Sequence, residues 1–520
     1  MKIAKLFIVL FVFNINAYAQ EEDYAEVEWI RTYIGPDSVN SVSKGMTLDN
    51  EGNVYVAIDD VAATDSGYSY DFIFVKYDND GNEGWTERYS AIKSFNSVED
   101  MVIDKESNIY IAGSADRRRK YVVLKYNHSG ALQWENILNA DDPPLSKPVK
   151  IAVDDSGNVY MASHTMDVYK YDINGKLIWN TPRGIPSGII YVHSMALDSE
   201  ANVYLAGKDF ILKYNSDGVK QWEASDTLAP RDILVNDNYV YTCGARGLTK
   251  YSKEGVEQWT RLYGEDFYSF VHFTIDNSRN PILLGSYYNG LYEQHAIIKY
   301  NSEGIRLWDA FAQEPTSTYL FSGGIGDICH DKFGNIYIIR YSAKVNSGSD
   351  ISVIKFSSSG EQKWIMHYTG YPDTYAWEEP NLSVKVDSLG NVYATGMTLF
   401  RERQEQVVTI KYRQPNFPVS VIQEHVNQNS FQLFQNYPNP FNPNTIISYQ
   451  LSEISYITLK VFDIIGREVA TLVDEQKEAG YYSISFDGSK LASGIYFVRL
   501  VAQSGEGKLS MQTRKLVLMK

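Results

Sequence analysis

The side chains of this chain that could do chemistry are scattered rather than grouped. Its eight histidines stand at 128, 164, 193, 272, 295, 330, 367 and 425. None forms a His-Glu-x-x-His or His-x-His spacing, so they describe no zinc site. There is no Gly-x-Ser-x-Gly elbow for a serine nucleophile and no phosphate-binding P-loop. His193 and the pair His330-Asp331 lie beside repeated strand motifs, where a structural role suffices. Recurring Asp-x-x-Gly-Asn turns look superficially like calcium loops. An EF-type loop, however, needs alternating oxygen ligands and a distant Glu, and only the Asp and Asn recur here. Hairpins explain them better. What does collect on segments of variable length is aromatic: Tyr68, Tyr70, Tyr191, Tyr268, Tyr287, Tyr288, Tyr292, Tyr319, Tyr371, Tyr375 and Trp377. Exposed aromatics suit protein or glycan partners, although a β-rich chain with 40 Tyr would carry many in any case. The candidate binding residues are therefore Tyr68, Tyr70, Tyr191, Tyr287, Tyr288, Tyr292, Tyr371, Tyr375 and Trp377. No catalytic, metal or cofactor residue is assigned.

The elements that must position these residues repeat eight times. Each copy opens as Met46-Thr47-Leu48-Asp49 does, makes a short turn, and continues as Val54-Tyr55-Val56-Ala57. The turn residue recurs at Asp49, Asp104, Asp154, Asp198, Asn236, Asp276, Asp331 and Asp387. The second half reads Phe74-Val75-Lys76-Tyr77, then a turn with Gly81, then Trp85. From this aromatic to Trp is eight residues in seven copies, from Tyr77–Trp85 to Phe356–Trp364. Copy eight has Lys411-Tyr412 and no Trp, while a spare ending, Glu28-Trp29-Ile30-Arg31-Thr32-Tyr33, precedes copy one. Four short strands per copy and a period of 38 to 56 residues fit a four-stranded antiparallel blade. Pairing the first strand with the last three would close a ring, and the recurring Trp would then pack between blades.

The variable aromatic segments fall on one side of such a ring. First and third turns, short and uniform, lie on one face. Second turns and blade-to-blade connections, which vary in length, lie on the other, where binding concentrates. This pattern resembles the bacterial β-propeller repeats of secreted proteins (SBBP-like, similar in layout to WD and quinoprotein propellers) over about residues 28–413. The resemblance implies a fold and no activity.

Composition narrows the partners. A net charge of −16 and a pI near 5.1 disfavour nucleic acid, and Arg117-Arg118-Arg119-Lys120 reads as a solvated loop. Met1 to Lys5 and the apolar run Leu6–Phe13, followed by Ala17-Tyr18-Ala19, read as a signal peptide over residues 1–19. That run is too short to span a bilayer, and no later stretch reaches spanning length. Cys243 and Cys329 lie in copies five and seven and read as isolated buried thiols rather than a disulfide.

After a Pro- and Gln/Asn-rich linker at 414–430 the pattern changes. Asn436-Tyr437-Pro438-Asn439-Pro440-Phe441-Asn442-Pro443, then Val461-Phe462-Asp463 to Gly466-Arg467-Glu468-Val469, then Leu491 to Val498, and a final Arg514–Leu518 define six or seven strands, enough for a small β-sandwich. These motifs resemble, in order and over the whole of 431–520, the type IX secretion C-terminal sorting domain, which is similar to the FlgD-type Ig-like fold. The resemblance implies recognition by an outer-membrane export machine, with the product released or attached to the surface.

The expectation is an all-β protein: an eight-bladed β-propeller closed by an N-terminal strand, followed by an Ig-like β-sandwich. It would be secreted or held at the cell surface by a type IX secretion system and would act as a non-catalytic binding or scaffold module for a protein or glycan. The alternative is a carbohydrate-active enzyme, a lyase or glycosidase, working on the variable-loop face. A cluster of carboxylates with Tyr, His or Arg at the channel mouth would favour it.

Overall fold

A computed structural model of the chain describes residues 23–35, 38–64, 67–90, 96–139, 148–181, 191–236, 238–263, 267–288, 293–313, 319–344, 347–369, 382–400, 404–415, 417, 431–433, 436, 441, 443–451, 454–477, 480–504 and 509–518. Its regular elements are all β-strands. The chain divides into two compact units, one ending at Pro418 and the other running Val419–Lys520.

The first unit is propeller-like: separate antiparallel sheets, with no closed barrel. Repeats two to seven are four-stranded sheets over 97–139, 148–180, 192–225, 230–262, 267–311 and 319–368. Repeats one (38–89) and eight (383–413) are joined into one sheet by a single parallel pair, Asn40 with Glu405. First strands adjoin in chain order, and that of repeat eight adjoins that of repeat one. Strand Glu26–Tyr33 completes repeat eight, pairing antiparallel with Gln404–Arg413 from Glu26↔Arg413 to Tyr33↔Val407.

Burial follows position in the sheet. Second strands such as Ile109–Ala115 and Val203–Gly207 are buried along their whole length, because neighbouring sheets cover both faces. Their apolar runs are accordingly continuous rather than alternating. Outermost strands such as Leu132–Asn139 alternate exposed and half-buried positions.

The repeated Asp is spent on its own hairpin. One Asp49 carboxylate oxygen accepts the N–H of Glu51 and of Asn53, and the other accepts the Asn53 side-chain amide and the Tyr55 hydroxyl, all at 2.7–3.0 Å. Asp104, Asp154, Asp198, Asp331 and Asp387 repeat the set. In repeat six Ile282 stands where the others have Tyr, and Lys299 takes the open acceptor of Asp276 at 2.8 Å.

Between repeats the Trp is a latch. Each indole lies against the turn glycine of the next repeat: a Cβ on Gly81 would stand 2.7 Å from the Trp29 ring, and Gly130, Gly175, Gly218, Gly255, Gly304 and Gly360 meet the preceding Trp in the same way. All seven glycines have φ between 74° and 88°, so both conformation and space demand Gly. Each indole N–H donates to the carbonyl two residues before that glycine, from Trp29 to Asn79 through Trp308 to Ser358, at 2.9–3.2 Å. The Lys of the third strand donates to the same carbonyl in each case, as Lys76 does to His128 and Lys250 to Ser302. Repeat eight has no third turn for Trp364 to grip. Trp364 is buried in one cluster with Ala25, its N–H without a partner among the described residues, and Lys355 pairs with Asp23 instead.

The second unit holds two sheets, one of strands Gln432–Leu433, Asn444–Leu451 and Gly480–Asp487, the other of Glu468–Lys477, Ser455–Asp463, Gly494–Ser504 and Leu509–Leu518. Leu433, Ile447, Leu459, Val461, Val498, Leu500 and Leu516 form its core, and alternating exposure along Ser455–Asp463 leaves one face of that strand outward. Among the described residues no helix is long and apolar enough to cross a membrane. The leader at 1–19 and nearly all of the 414–430 linker lie outside the described residues.

Candidate binding site

The innermost strands carry the site. Four residues before each turn Asp or Asn stand Gly45, Asp100, Lys150, Ser194, Asp232, His272, Asp327 and Ser383. In repeats one to seven the strand register shifts at or next to this position, a bulge that re-aims side chains. Lys150 in repeat three is held in its charged form chiefly by Asp100 of repeat two, and it also feels Asp232 of repeat five and Asp327 of repeat seven. Side chains from repeats two, three, five and seven are therefore within electrostatic reach of one another. They are not sealed from water: Lys150 and Lys385 keep 43% and 39% of their side-chain surface exposed.

The charges are paired across repeats. Lys150 lies 3.6 Å from Asp100, whose other oxygen accepts the Ile151 N–H at 2.9 Å. Ser194 donates to Asp232 at 2.8 Å. Lys385 lies 2.7 Å from Asp327, which also accepts the Ser383 hydroxyl and the N–H groups of Ile328 and Val384. Asp59 receives the Val98 N–H and the Ser97 hydroxyl from the next repeat, with Lys44 at 3.4 Å. Burial pushes the Asp59 carboxyl up to about 6, against the pull of Lys44 and its two donors. Around His272 two carboxyls diverge. Burial drives Asp232 up despite Lys150 and His272. Burial also raises Asp327, but Lys385, His272 and the hydrogen bonds from Lys385 and Ile328 outweigh it, and the net shift is downward. Both carboxyls are within electrostatic reach of His272, and a pair with opposite proton affinity can divide proton-donor and anion roles.

The aromatic residues expected from sequence are only partly brought into view. Tyr68 is 64% exposed on the strand Gly67–Tyr77. Tyr70 is half-buried, and its carbonyl accepts the Asn96 amide at 2.7 Å. Tyr191 stacks on His164, centroids 4.3 Å apart, and Tyr287 packs on Phe311 at 4.9 Å. These four stand on three different parts of the first unit: repeat one, the approach to repeat four, and repeat six. Tyr288 lies in the strand Pro281–Tyr288 with its side chain outside the description, and Tyr292, Tyr371, Tyr375 and Trp377 lie outside the described residues.

The inner belt was missed by sequence reasoning, which looked for repeated types. Its signal is positional: counting back four residues from each turn gives a polar side chain in every repeat but the first. Of the two thiols expected to be buried, Cys243 is buried, whereas Cys329 is only partly so. It sits two residues before Asp331 on the strand Tyr319–His330 and packs against the cluster that holds Tyr337, Leu382 and Val384.

The second unit carries a family signature. Residues 435–518 match the secretion system C-terminal sorting domain. This sorting domain implies export by a type IX machinery to the cell surface or beyond. No curated protein matches the chain. Among solved structures the chain is similar to BamB from Moraxella catarrhalis (15% identity, 72% of this chain and 98% of that one, TM-score 0.43). It is also similar to the C-terminal WD40 domain of Sif2 (11%, 72% and 97%, 0.46). A third is a protein of unknown function from Bacteroides caccae (11%, 46% and 90%, 0.33).

Proposed function

We propose that this chain is an exported, eight-bladed β-propeller of the SBBP-like type that captures a protein or glycan on its variable-loop face. Residues 1–19 act as leader, 28–413 as propeller, 414–430 as linker and 431–520 as an Ig-like sorting domain. Eight four-stranded repeats whose first strands adjoin from one to eight and back to one support the ring. The observation that carries binding over catalysis is the state of three carboxylates. Asp59, Asp100 and Asp327 are committed to N–H groups of the following repeat, so these carboxylates serve to join repeats. A rigid ring presenting variable loops is then the functional part.

A glycan and peptide array probed with the mature chain tests this. Saturable binding that survives Asp232→Asn and Asp327→Asn is expected, and absence of any ligand counts against it. The second reading, a lyase or glycosidase, draws on Asp232 and Asp327 diverging around His272. It requires turnover of a polysaccharide panel that disappears in either Asp variant while the melting temperature holds.

A further inference from the structure

Resting on the sorting-domain reading, we propose that Ile464 and Ile465, at the tip of one hairpin in the second unit, are the contact by which the export machinery grips this chain. They are the most exposed large apolar side chains among the described residues, at 70% each. The turn that carries them is tightly built. Asp463 N–H bonds the Arg467 carbonyl and Gly466 N–H the Asp463 carbonyl, while the Asp463 carboxylate accepts the N–H of Ile465 and Arg467 and the Arg467 guanidinium at 2.7 Å. Gly466 has φ +83°, and nothing lies within 4 Å of where its Cβ would be. The tip is thus rigid and projects away from its own core.

The same chain supplies the control. Seven first turns and seven third turns of the propeller-like unit have the same five-residue geometry. Their two tip positions are polar in eleven cases, for example Asn50-Glu51, Ser216-Asp217 and Ser302-Glu303. Three have one apolar residue, and two of these are accounted for: Ile173 lies over Gly157, and Phe333 packs on Phe417. The turn therefore needs no apolar tip, and only 463–467 has two. An isolated apolar pair presented on a stiff support is the form of a binding anchor. Arg467 stands beside the pair with its charge matched by Asp463 at 2.7 Å, so the fitting partner is a protein groove with an apolar floor. Lys460 and Glu468 pair as well, at 3.0 Å, so these four charges cancel and an anionic lipid surface is the poorer match.

The test uses the full chain in a bacterium that has a type IX secretion system. Ile464→Ser/Ile465→Ser should accumulate in the periplasm with at least a tenfold smaller surface and medium fraction. Its melting temperature should equal the parent's, because neither side chain joins the core. Leu509→Ser/Met511→Ser, at 66% and 61% exposure elsewhere on the unit, should export normally. If the Ser pair melts lower, Ile464→Thr/Ile465→Thr and Ile464→Leu/Ile465→Leu replace it. A trapped Thr pair with an exported Leu pair supports the anchor, and equal behaviour of the two overturns it. Normal export of the Ser pair while a chain lacking 431–520 is trapped overturns the anchor and leaves the sorting reading intact. Export of the truncated chain overturns the sorting reading itself. Binding of the parent, but not the Ser pair, to phosphatidylethanolamine–phosphatidylglycerol vesicles would overturn the protein partner in favour of a membrane.

Discussion

The ammonium of Lys355 reaches both oxygens of Asp23, 332 residues earlier in the chain, at 2.7 and 2.9 Å. Lysines at the corresponding position of the other seven repeats donate to a turn carbonyl of the next repeat. Between repeats seven and eight that carbonyl does not exist, and the N-terminal segment supplies a carboxylate in its place. Gln414 adds to the seam by donating to the Tyr337 hydroxyl and the Gly390 carbonyl, and Phe417 fills the space over Gly390.

The pair should be asymmetric in mutation. Lys355 is 3% exposed and Asp23 is 36% exposed. Asp23→Ala strands a buried ammonium and should cost about 2–3 kcal/mol, whereas Lys355→Met leaves a hydrated carboxylate and should cost under about 1 kcal/mol. Urea unfolding of both singles and the double variant decides. Equal costs would show that the pairing is incidental.

Strand Glu26–Tyr33 should govern the stability of the whole first unit. Deleting residues 21–34 should lower the melting temperature sharply, and Trp29→Ala alone should cost about 3–5 kcal/mol, since the indole is 6% exposed and bonded to Asn79. An unchanged melting temperature in either variant contradicts the seam as a closure.

The two faces should separate binding from folding. Gly81→Val forces a side chain into the Trp29 ring at φ +80° and should destabilise by several kcal/mol with binding intact in the folded fraction. Trp377→Ala and Tyr288→Ala should weaken capture of an array-identified ligand about tenfold or more with melting unchanged. Paired affinity and melting measurements that come out reversed would place binding on the uniform face.

Asp59 gives a pH signature. Its carboxyl is raised to about 6 from the usual 3.8, so the folded state holds the proton more tightly than the unfolded chain. Its contribution is most favourable at low pH and is lost as pH rises through about 4 to 6, costing about 1–3 kcal/mol once the group is ionised. Asp59→Asn should match the parent near pH 4 and exceed it in stability at pH 8. A melting difference constant across that range would rule the effect out.

How far the sequence reaches depends on whether a constraint is local. The Asp49–Asn53 hairpin and the step from Tyr77 to Trp85 are fixed by covalent spacing and recur, so strands and turns could be read directly. The spare Trp29 strand was legible because repeat eight lacked its counterpart. The lysines before each Tyr were equally plain, but their role lay in a carbonyl some 40 to 60 residues away, or 332 in the case of Lys411 and Asn79. The belt of Asp100, Lys150, Asp232 and Asp327 was hidden because no residue type repeats; only the register aligns it. Ile464 and Ile465 are set apart by their exposure, which their residue types do not signal.

The pairing of Glu26–Tyr33 with Gln404–Arg413 has a mechanical consequence. Without the N-terminal strand, Gln404–Arg413 would be an edge, and a pull on the chain beyond Arg413 would meet one ladder. With it, that strand is flanked on both sides, by Val392–Phe400 and by Glu26–Tyr33. Tension along its axis then loads two sets of backbone hydrogen bonds in shear at once, rather than peeling them one at a time. A protein held by its C-terminal end against flow would have a two-sided grip where the chain leaves the propeller-like unit.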